Sequence, residues 1–172
     1  MGLLGSETFD SFRDLLEHHL QDLYDAEARV IKLCPDFQAK ADDPQLKSQF
    51  EAMERQAKVR RERLEDVLKQ AGFEQQRETC EAMKGLIKEA SEMADATGDA
   101  AVIDAALIQS ANRLLHYFIA GYGAARCQLQ AAGHEDLGKL LDTSLEDARQ
   151  NDESFANLAV DVINKKAAMA TA

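Results

Sequence analysis

The sequence predicts an all-α protein, a four-helix bundle whose second and third long helices are joined by a long crossover. Four segments of about 25–30 residues carry apolar side chains at steps of three and four, the spacing of one helix face. No segment alternates as a strand does, and Pro35 and Pro44 are the only prolines. The crossover has an apolar pattern of its own, which indicates an additional short helix.

The first long helix is expected from about Ser6 to Cys34, with Ser6 as its N-cap and Pro35 as its end. One face of this segment is apolar except for a single carboxylate. The residues predicted to face the core are Phe9, Phe12, Leu16, His19 or Leu20, Leu23, Glu27, Val30 and Cys34.

The second long helix is expected to begin at Pro44, after Asp43 as N-cap, and to end at Gly72. Its inward stripe is Leu46, Phe50, Met53, Ala57, Arg60, Leu64, Val67 or Leu68, and Ala71. The short crossover helix is expected from about Thr79 to Ala96.

The third long helix, from Ala101 to Ala131, contains the most apolar and aromatic run and is predicted to be the central one. Gly121 and Gly123 would weaken it unless a neighbouring helix approaches closely. The last helix is expected from about Asp136 to Lys166. Its predicted stripe is Leu137, Leu141, Leu145, Ala148, Asp152, Phe155, Ala159 and Val162.

Charged residues interrupt three of these stripes, at Glu27, Arg60 and Asp152. Core positions rarely hold charge unless it is paired or bound to metal. Inward carboxylates in a four-helix bundle are typical of a dinuclear metal site, which also uses a Glu-x-x-His motif on each of two helices. No Glu-x-x-His occurs in this chain. The pattern therefore indicates the architecture of a di-iron protein with too few ligands.

Two sequence motifs indicate a protein family. They are Thr79-Cys80-Glu81-Ala82-Met83 and His116-Tyr117 followed by Ile119-Ala120-Gly121-Tyr122-Gly123. With these motifs the chain resembles the YciE/YciF-type ferritin-like proteins over nearly its whole length. The resemblance implies a ferritin-like bundle, usually dimeric, that binds metal and is associated with bacterial stress responses.

The same resemblance implies which positions hold inward carboxylates. Glu27 and Asp152 keep theirs, and Asp147 stands at one position of a usual Glu pair. The other positions hold Gln56, Leu115, Phe118 and Ala148. Glutamine is a poor iron ligand and the other three side chains cannot ligate.

Two hypotheses follow for the bundle centre. In the first, Glu27, Arg60 and Asp152 form a buried ion cluster and no cofactor is bound. In the second, Glu27 and Asp152 are remnant ligands of iron or another divalent metal. His116 is either a further ligand or a partly buried, hydrogen-bonded histidine.

The favoured function is therefore a non-catalytic stress-associated protein that acts as a homodimer or through a protein partner. The alternative is a metal-dependent oxidase or peroxide-consuming protein, and a third possibility is weak cation sequestration by the acidic surface. The net charge of −11 argues against nucleic acid and anionic membranes as partners.

Composition and length predict one domain over residues 1–172, with 45% hydrophobic residues to build its core. No apolar run has membrane length, and the first residues lack the features of a secretory signal. Cys34, Cys80 and Cys127 are an odd number without a CxxC pair. They predict reduced thiols and a cytoplasmic protein.

Overall fold

The computed structural model describes residues 8–75 and 78–170, and these residues form helices and connections without a strand. Six α-helices and one π-helical turn follow one another along this part of the chain. They are α1 (Phe12–Lys40), α2 (Pro44–Ala71), α3 (Glu81–Asp95), α4 (Ala100–Ala131), α5 (Glu135–Leu158), the π-turn (Ala159–Ile163) and α6 (Asn164–Ala170).

The bundle consists of α1, α2, α4 and α5. Short connections pair α1 with α2 and α4 with α5, and α4 also packs against α1, α3 and α6. The crossover from α2 to α4 carries α3, so the predicted ferritin-like architecture is confirmed. None of the described helices is long and apolar enough to cross a membrane.

The crossover helix lies lengthwise on the bundle, over the seam between α1 and α4. Its beginning is tied to the middle of α1, where Cys80 N donates to Asp25 Oδ2 at 2.9 Å. Its end meets the end of α1, where Lys40 Nζ donates to the Ala96 carbonyl at 2.7 Å. The two helices therefore run in the same direction.

The second helix follows its sequence signals. Asp43 caps it by accepting from Gln45 N and Leu46 N, Pro44 occupies its first turn, and Gly72 ends it in the left-handed region with a φ of 69°. Every residue of its predicted stripe is buried. The apolar spacing and both end signals thus agree on one helix.

The first helix differs from its prediction at both ends. Ser6 lies outside the described residues, and the helix is capped by Ser11, which forms a capping box with Asp14. Phe9 and Phe12 lie at this end and are 42% and 47% exposed instead of buried.

Pro35 does not end the first helix, which continues to Lys40. A proline inside a helix removes one backbone hydrogen bond. Here the next turn offsets that loss because the side chains of Phe37 and Ala41 are buried in the core.

The last helix contains a π-helical turn at Ala159–Ile163. A π-turn holds one more residue than an α-turn, so the buried face shifts by one position. Ile163 is therefore buried, whereas Val162, which the spacing predicted to face inward, is only half-buried. Beyond the turn, Lys166 Nζ reaches Asp43 Oδ2 at 2.7 Å and ties α6 to the start of α2.

Candidate functional site: a buried ion pair at the bundle centre

A fully buried ion pair joins α1 and α2. Arg60 Nε donates to Glu27 Oε1 at 2.6 Å, and Arg60 Nη2 donates to Glu27 Oε2 at 3.1 Å. Both side chains are 0% exposed. The guanidinium therefore holds the carboxylate in the bidentate geometry that makes such pairs strong. The structure thus brings together two of the three charged residues that interrupt the apolar stripes.

Tyr122, on α4, is the third member of this group. Its hydroxyl donates to Glu27 Oε1 at 2.8 Å. The ring of Phe118, one turn earlier, lies 5.4 Å from Arg60 Cζ and stacks on the Tyr122 ring with centroids 6.0 Å apart. Glu27, Arg60 and Tyr122 are called the central cluster below. A buried tyrosine hydroxyl generally needs a hydrogen-bond partner, and for Tyr122 that partner is Glu27.

Burial and the pairing of charges together set the pKa values of the central cluster. Burial raises the pKa of Glu27, while the charge and hydrogen bonds of Arg60 and the Tyr122 hydroxyl act in the opposite direction. Burial alone would lower the pKa of Arg60, but the Glu27 carboxylate outweighs it and raises that pKa. Burial, and then the charge of Glu27, raises the pKa of Tyr122 well above its usual value. Arg60 therefore stays charged and Tyr122 stays a proton donor at neutral pH.

Asp152 does not join the central cluster, so the predicted three-residue ion cluster is wrong in this member. Its Oδ2 lies 3.3 Å from His116 Nε2, and the His116 side chain is 68% exposed. The residue before it, Asn151, takes the buried position on α5. One residue turns a helix by about 100° and moves Asp152 to the edge of the stripe. His116 is therefore exposed, whereas the sequence predicts a metal ligand or a partly buried histidine at this position.

Asp147 is engaged by a different arginine. It forms an ion pair with Arg63 of α2, and both side chains are 23% exposed. Its negative charge adds to the rise of the Glu27 pKa, so it lies within electrostatic reach of the central cluster. The carboxylate at this expected ligand position therefore already has a cationic partner.

Residues 11–168 match the family described as a domain of unknown function, DUF892. The chain belongs to the DUF892 family. Protein YciF of Escherichia coli strain K12 is 32% identical over 158 residues, which cover 91% of this chain and 95% of YciF. The resemblance to YciE/YciF-type proteins is thereby confirmed.

Solved structures agree with the DUF892 assignment. The E. coli stress protein YciF matches with a TM-score of 0.88 and 30% identity, over 91% of this chain and 99% of that one. YcfI from Rhodopseudomonas palustris matches with a TM-score of 0.84 and 32% identity, over 88% and 96% of the two chains. A Xanthomonas campestris protein, at 16% identity, a TM-score of 0.71 and coverage of 90% and 95%, shares the fold.

The expected ligand positions of this DUF892 chain carry side chains that suit a core. Leu115, Phe118 and Ala148 are each 0% exposed. Gln56 is half-buried, and its Oε1 is a buried atom without a hydrogen-bond partner in the structure. Three of the four side chains have no lone pair to offer a cation, and the fourth is a neutral amide.

These residues do not fit a pair of iron ions. Within residues 8–75 and 78–170, no group of three or more His, Cys, Asp or Glu side chains could hold a metal ion. Glu27, the buried carboxylate of the central cluster, already accepts three hydrogen bonds, two of them from Arg60. A dication beside Arg60 would also meet a like charge at close range.

Proposed function

We propose that this DUF892 protein is a non-catalytic, stress-associated ferritin-like protein whose di-iron site has been replaced by the central cluster. It acts as a homodimer in the cytoplasm or through a protein partner. The stress association rests on its similarity to YciF, which is described as a stress protein. The three free cysteines fit a reducing compartment.

The observation that carries the proposal is the position of Arg60. Its guanidinium is fully buried and bound to Glu27 through two hydrogen bonds. A buried arginine keeps its charge under all ordinary conditions. The Arg60 guanidinium therefore gives the Glu27 carboxylate a permanent positive partner. In a metal site, the bound cation would provide that charge. Leu115, Phe118 and Ala148 support the same conclusion because they add apolar volume where further ligands would be needed.

Metal stoichiometry tests the proposal directly. The purified protein, after incubation with ferrous iron and removal of free metal, is expected to contain far less than one iron atom per chain by elemental analysis. Glu27→Ala, and Glu51→Ala as a matched control on the surface of α2, are expected to give the same low value. Two iron atoms per chain, lost in Glu27→Ala and kept in Glu51→Ala, would overturn the proposal and establish a di-iron site, the metal-binding part of the oxidase or peroxide-consuming alternative.

Assembly needs a separate measurement. Sedimentation at micromolar concentration is expected to give a dimer whether or not iron has been added, because the proposed dimer does not depend on metal. A monomer at that concentration would remove the homodimer from the proposal and leave the metal result unaffected.

A further inference from the structure

The crossover helix is held to the bundle with little apolar contact. Only Met83 and Ala90 of its fifteen residues are buried, whereas α4 buries twelve. Leu86, Ile87 and Ala94 are partly buried against the core. Segments with few buried apolar contacts open locally at lower free energy than the core does.

Polar contacts at the beginning of this helix compensate for the small apolar contact. The Tyr117 hydroxyl of α4 donates to Asp22 Oδ2 of α1. Cys80 Sγ lies 3.0 Å from the Tyr117 oxygen. Because the tyrosine proton is committed to Asp22, the thiol must donate to the tyrosine oxygen. The chain of donors therefore runs from Cys80 through Tyr117 to Asp22 and joins the crossover to two bundle helices.

The same cysteine also caps the helix. Met83 N donates to Cys80 Sγ at 3.2 Å, and Cys80 N donates to Asp25 Oδ2 at 2.9 Å. Asp25 is in turn held by Arg29 Nε at 2.6 Å. The Cys80 thiol thus caps the beginning of α3 and is also the first donor of the hydrogen-bond chain, so losing one of these contacts loosens the other.

The remaining tethers of α3 are weaker. Arg113 and Glu89 form an ion pair between α4 and α3, with side chains 43% and 53% exposed. Exposed pairs of this kind contribute little to stability. At the far end, Lys40 donates a single hydrogen bond to the Ala96 carbonyl.

We propose that α3 is a strap that leaves the bundle as a unit while the four long helices stay folded, and that the Asp22–Tyr117–Cys80 chain is the lock that holds it closed. Release exposes Met83 and Ala90, which the closed bundle covers, and so creates an apolar surface that the closed state lacks. The release of α3 does not depend on whether the central cluster binds a metal ion.

Three thiols held by different parts of the fold make the opening measurable. Cys127 is exposed, whereas Cys80 under the lock and Cys34 on α1 are both buried, at 0% and 2% exposure. Release of α3 uncovers Cys80, but Cys34 belongs to a bundle helix and stays covered. Native protein is treated with an aromatic disulfide reagent at one fixed pH, and labelled positions are identified by mass spectrometry. Cys127 is expected to react first, Cys80 next, and Cys34 only on global unfolding.

Urea separates the two slow reactions. Because local release exposes little surface, the Cys80 rate is expected to rise only weakly with urea, whereas the Cys34 rate rises steeply. Equal rates and equal urea dependences at Cys80 and Cys34 would overturn the strap, since α3 would then be released only when the whole bundle unfolds.

Matched tyrosine variants test the lock. Tyr117→Phe is expected to speed the labelling of Cys80 by about tenfold to hundredfold, because it removes a hydrogen bond to a charged partner. The Cys34 rate should change much less. Tyr122→Phe, which removes a hydroxyl from the central cluster, should instead change the Cys34 rate most. If Tyr117→Phe accelerates both thiols by one common factor, the chain stabilises the whole fold and is not a lock.

Discussion

Gly121 of α4 leaves room for the side chain of Leu23 of α1. A Cβ added at Gly121 would stand 2.6 Å from Leu23 Cδ2, closer than carbon atoms pack in proteins. Leu23 is itself 0% exposed and cannot swing into solvent. The expected close approach of a neighbouring helix therefore occurs at Gly121. It does not occur at Gly123, where an added Cβ would have no neighbour within 4 Å.

Alanine at these two glycines is expected to change stability in opposite directions. Gly121→Ala should lower the free energy of unfolding by about 1–3 kcal/mol, because Leu23 must leave its packed position. Gly123→Ala should raise it by up to about 1 kcal/mol, because alanine favours the helix and meets open space. Urea unfolding of both variants provides the measurement. Equal effects would mean that Leu23 does not constrain Gly121.

Removing the guanidinium of the central cluster is expected to destabilise the protein strongly. Arg60→Ala should lower the free energy of unfolding by about 3–5 kcal/mol, because Glu27 remains buried without its partner. Arg55→Ala is the matched control on the same helix. Its pair with Glu51 is exposed, and its removal should cost less than about 1 kcal/mol. Similar losses in the two variants, measured by chemical unfolding, would argue against a structural role for the buried pair.

Replacing the whole central cluster by apolar side chains is expected to restore the stability that Arg60→Ala loses. In the triple variant Glu27→Leu, Arg60→Met, Tyr122→Phe, no polar group of the central cluster remains to be left unpaired. Its free energy of unfolding should equal that of the native protein or exceed it by up to about 4 kcal/mol. A triple variant as unstable as Arg60→Ala would show that the ion pair itself, and not the avoidance of an unpaired charge, stabilises the bundle.

Stability is expected to fall at alkaline pH because of the buried thiols. Burial raises the pKa of Cys34 to about 12 and that of Cys80 to about 11. A thiol in the unfolded chain has a pKa of about 8.5, so the unfolded chain loses its thiol protons before the folded protein does as the pH rises. The stability that each buried thiol contributes is therefore fully present below about pH 8.5. Between about pH 9 and 10.5 it declines by about 1.4 kcal/mol per pH unit and thiol.

Cysteine variants show which thiol causes the decline of the free energy of unfolding with pH. Cys34→Ala should remove one thiol's share of the decline, whatever it does to stability at neutral pH. Cys127→Ala, which changes an exposed thiol, should keep the native slope. The comparison uses the free energy of unfolding at several pH values. A slope that Cys34→Ala leaves unaltered would contradict the assignment to the buried thiol.

Sequence reasoning predicted α2 closely because its local signals and its packing agree. Asp43, Pro44 and Gly72 specify its ends. Its buried residues recur at steps of three and four from one end to the other. It failed at Pro35 because a helix breaker acts locally, whereas burial of Phe37 is a tertiary effect that spacing within one helix does not reveal. The π-turn was missed for a similar reason, since no residue type specifies the extra position.

The central cluster was only partly predictable. Charges on apolar stripes pointed to Glu27 and Arg60, because a buried charge needs a partner somewhere in the core. Spacing could not exclude Asp152, since a position at the edge of a stripe differs from an inward one by a single residue. The hydroxyl directions of Tyr117 and Tyr122 depend on how three helices meet. Their partners Asp22, Cys80 and Glu27 come from distant parts of the chain.

The π-turn at Ala159–Ile163 makes the end of the chain tolerant of a loss of length at this one place. The turn holds one residue more than a regular α-helical turn, so the residues after it keep the helix face that an extra residue would otherwise change. Deleting the exposed Val160 would therefore let α5 and α6 join as one regular α-helix, in which Ile163 stays buried and the ammonium of Lys166 still faces Asp43. A one-residue deletion in the regular part of α5 would instead turn every later side chain by about 100°. The last helix thus carries a spare residue at a single position.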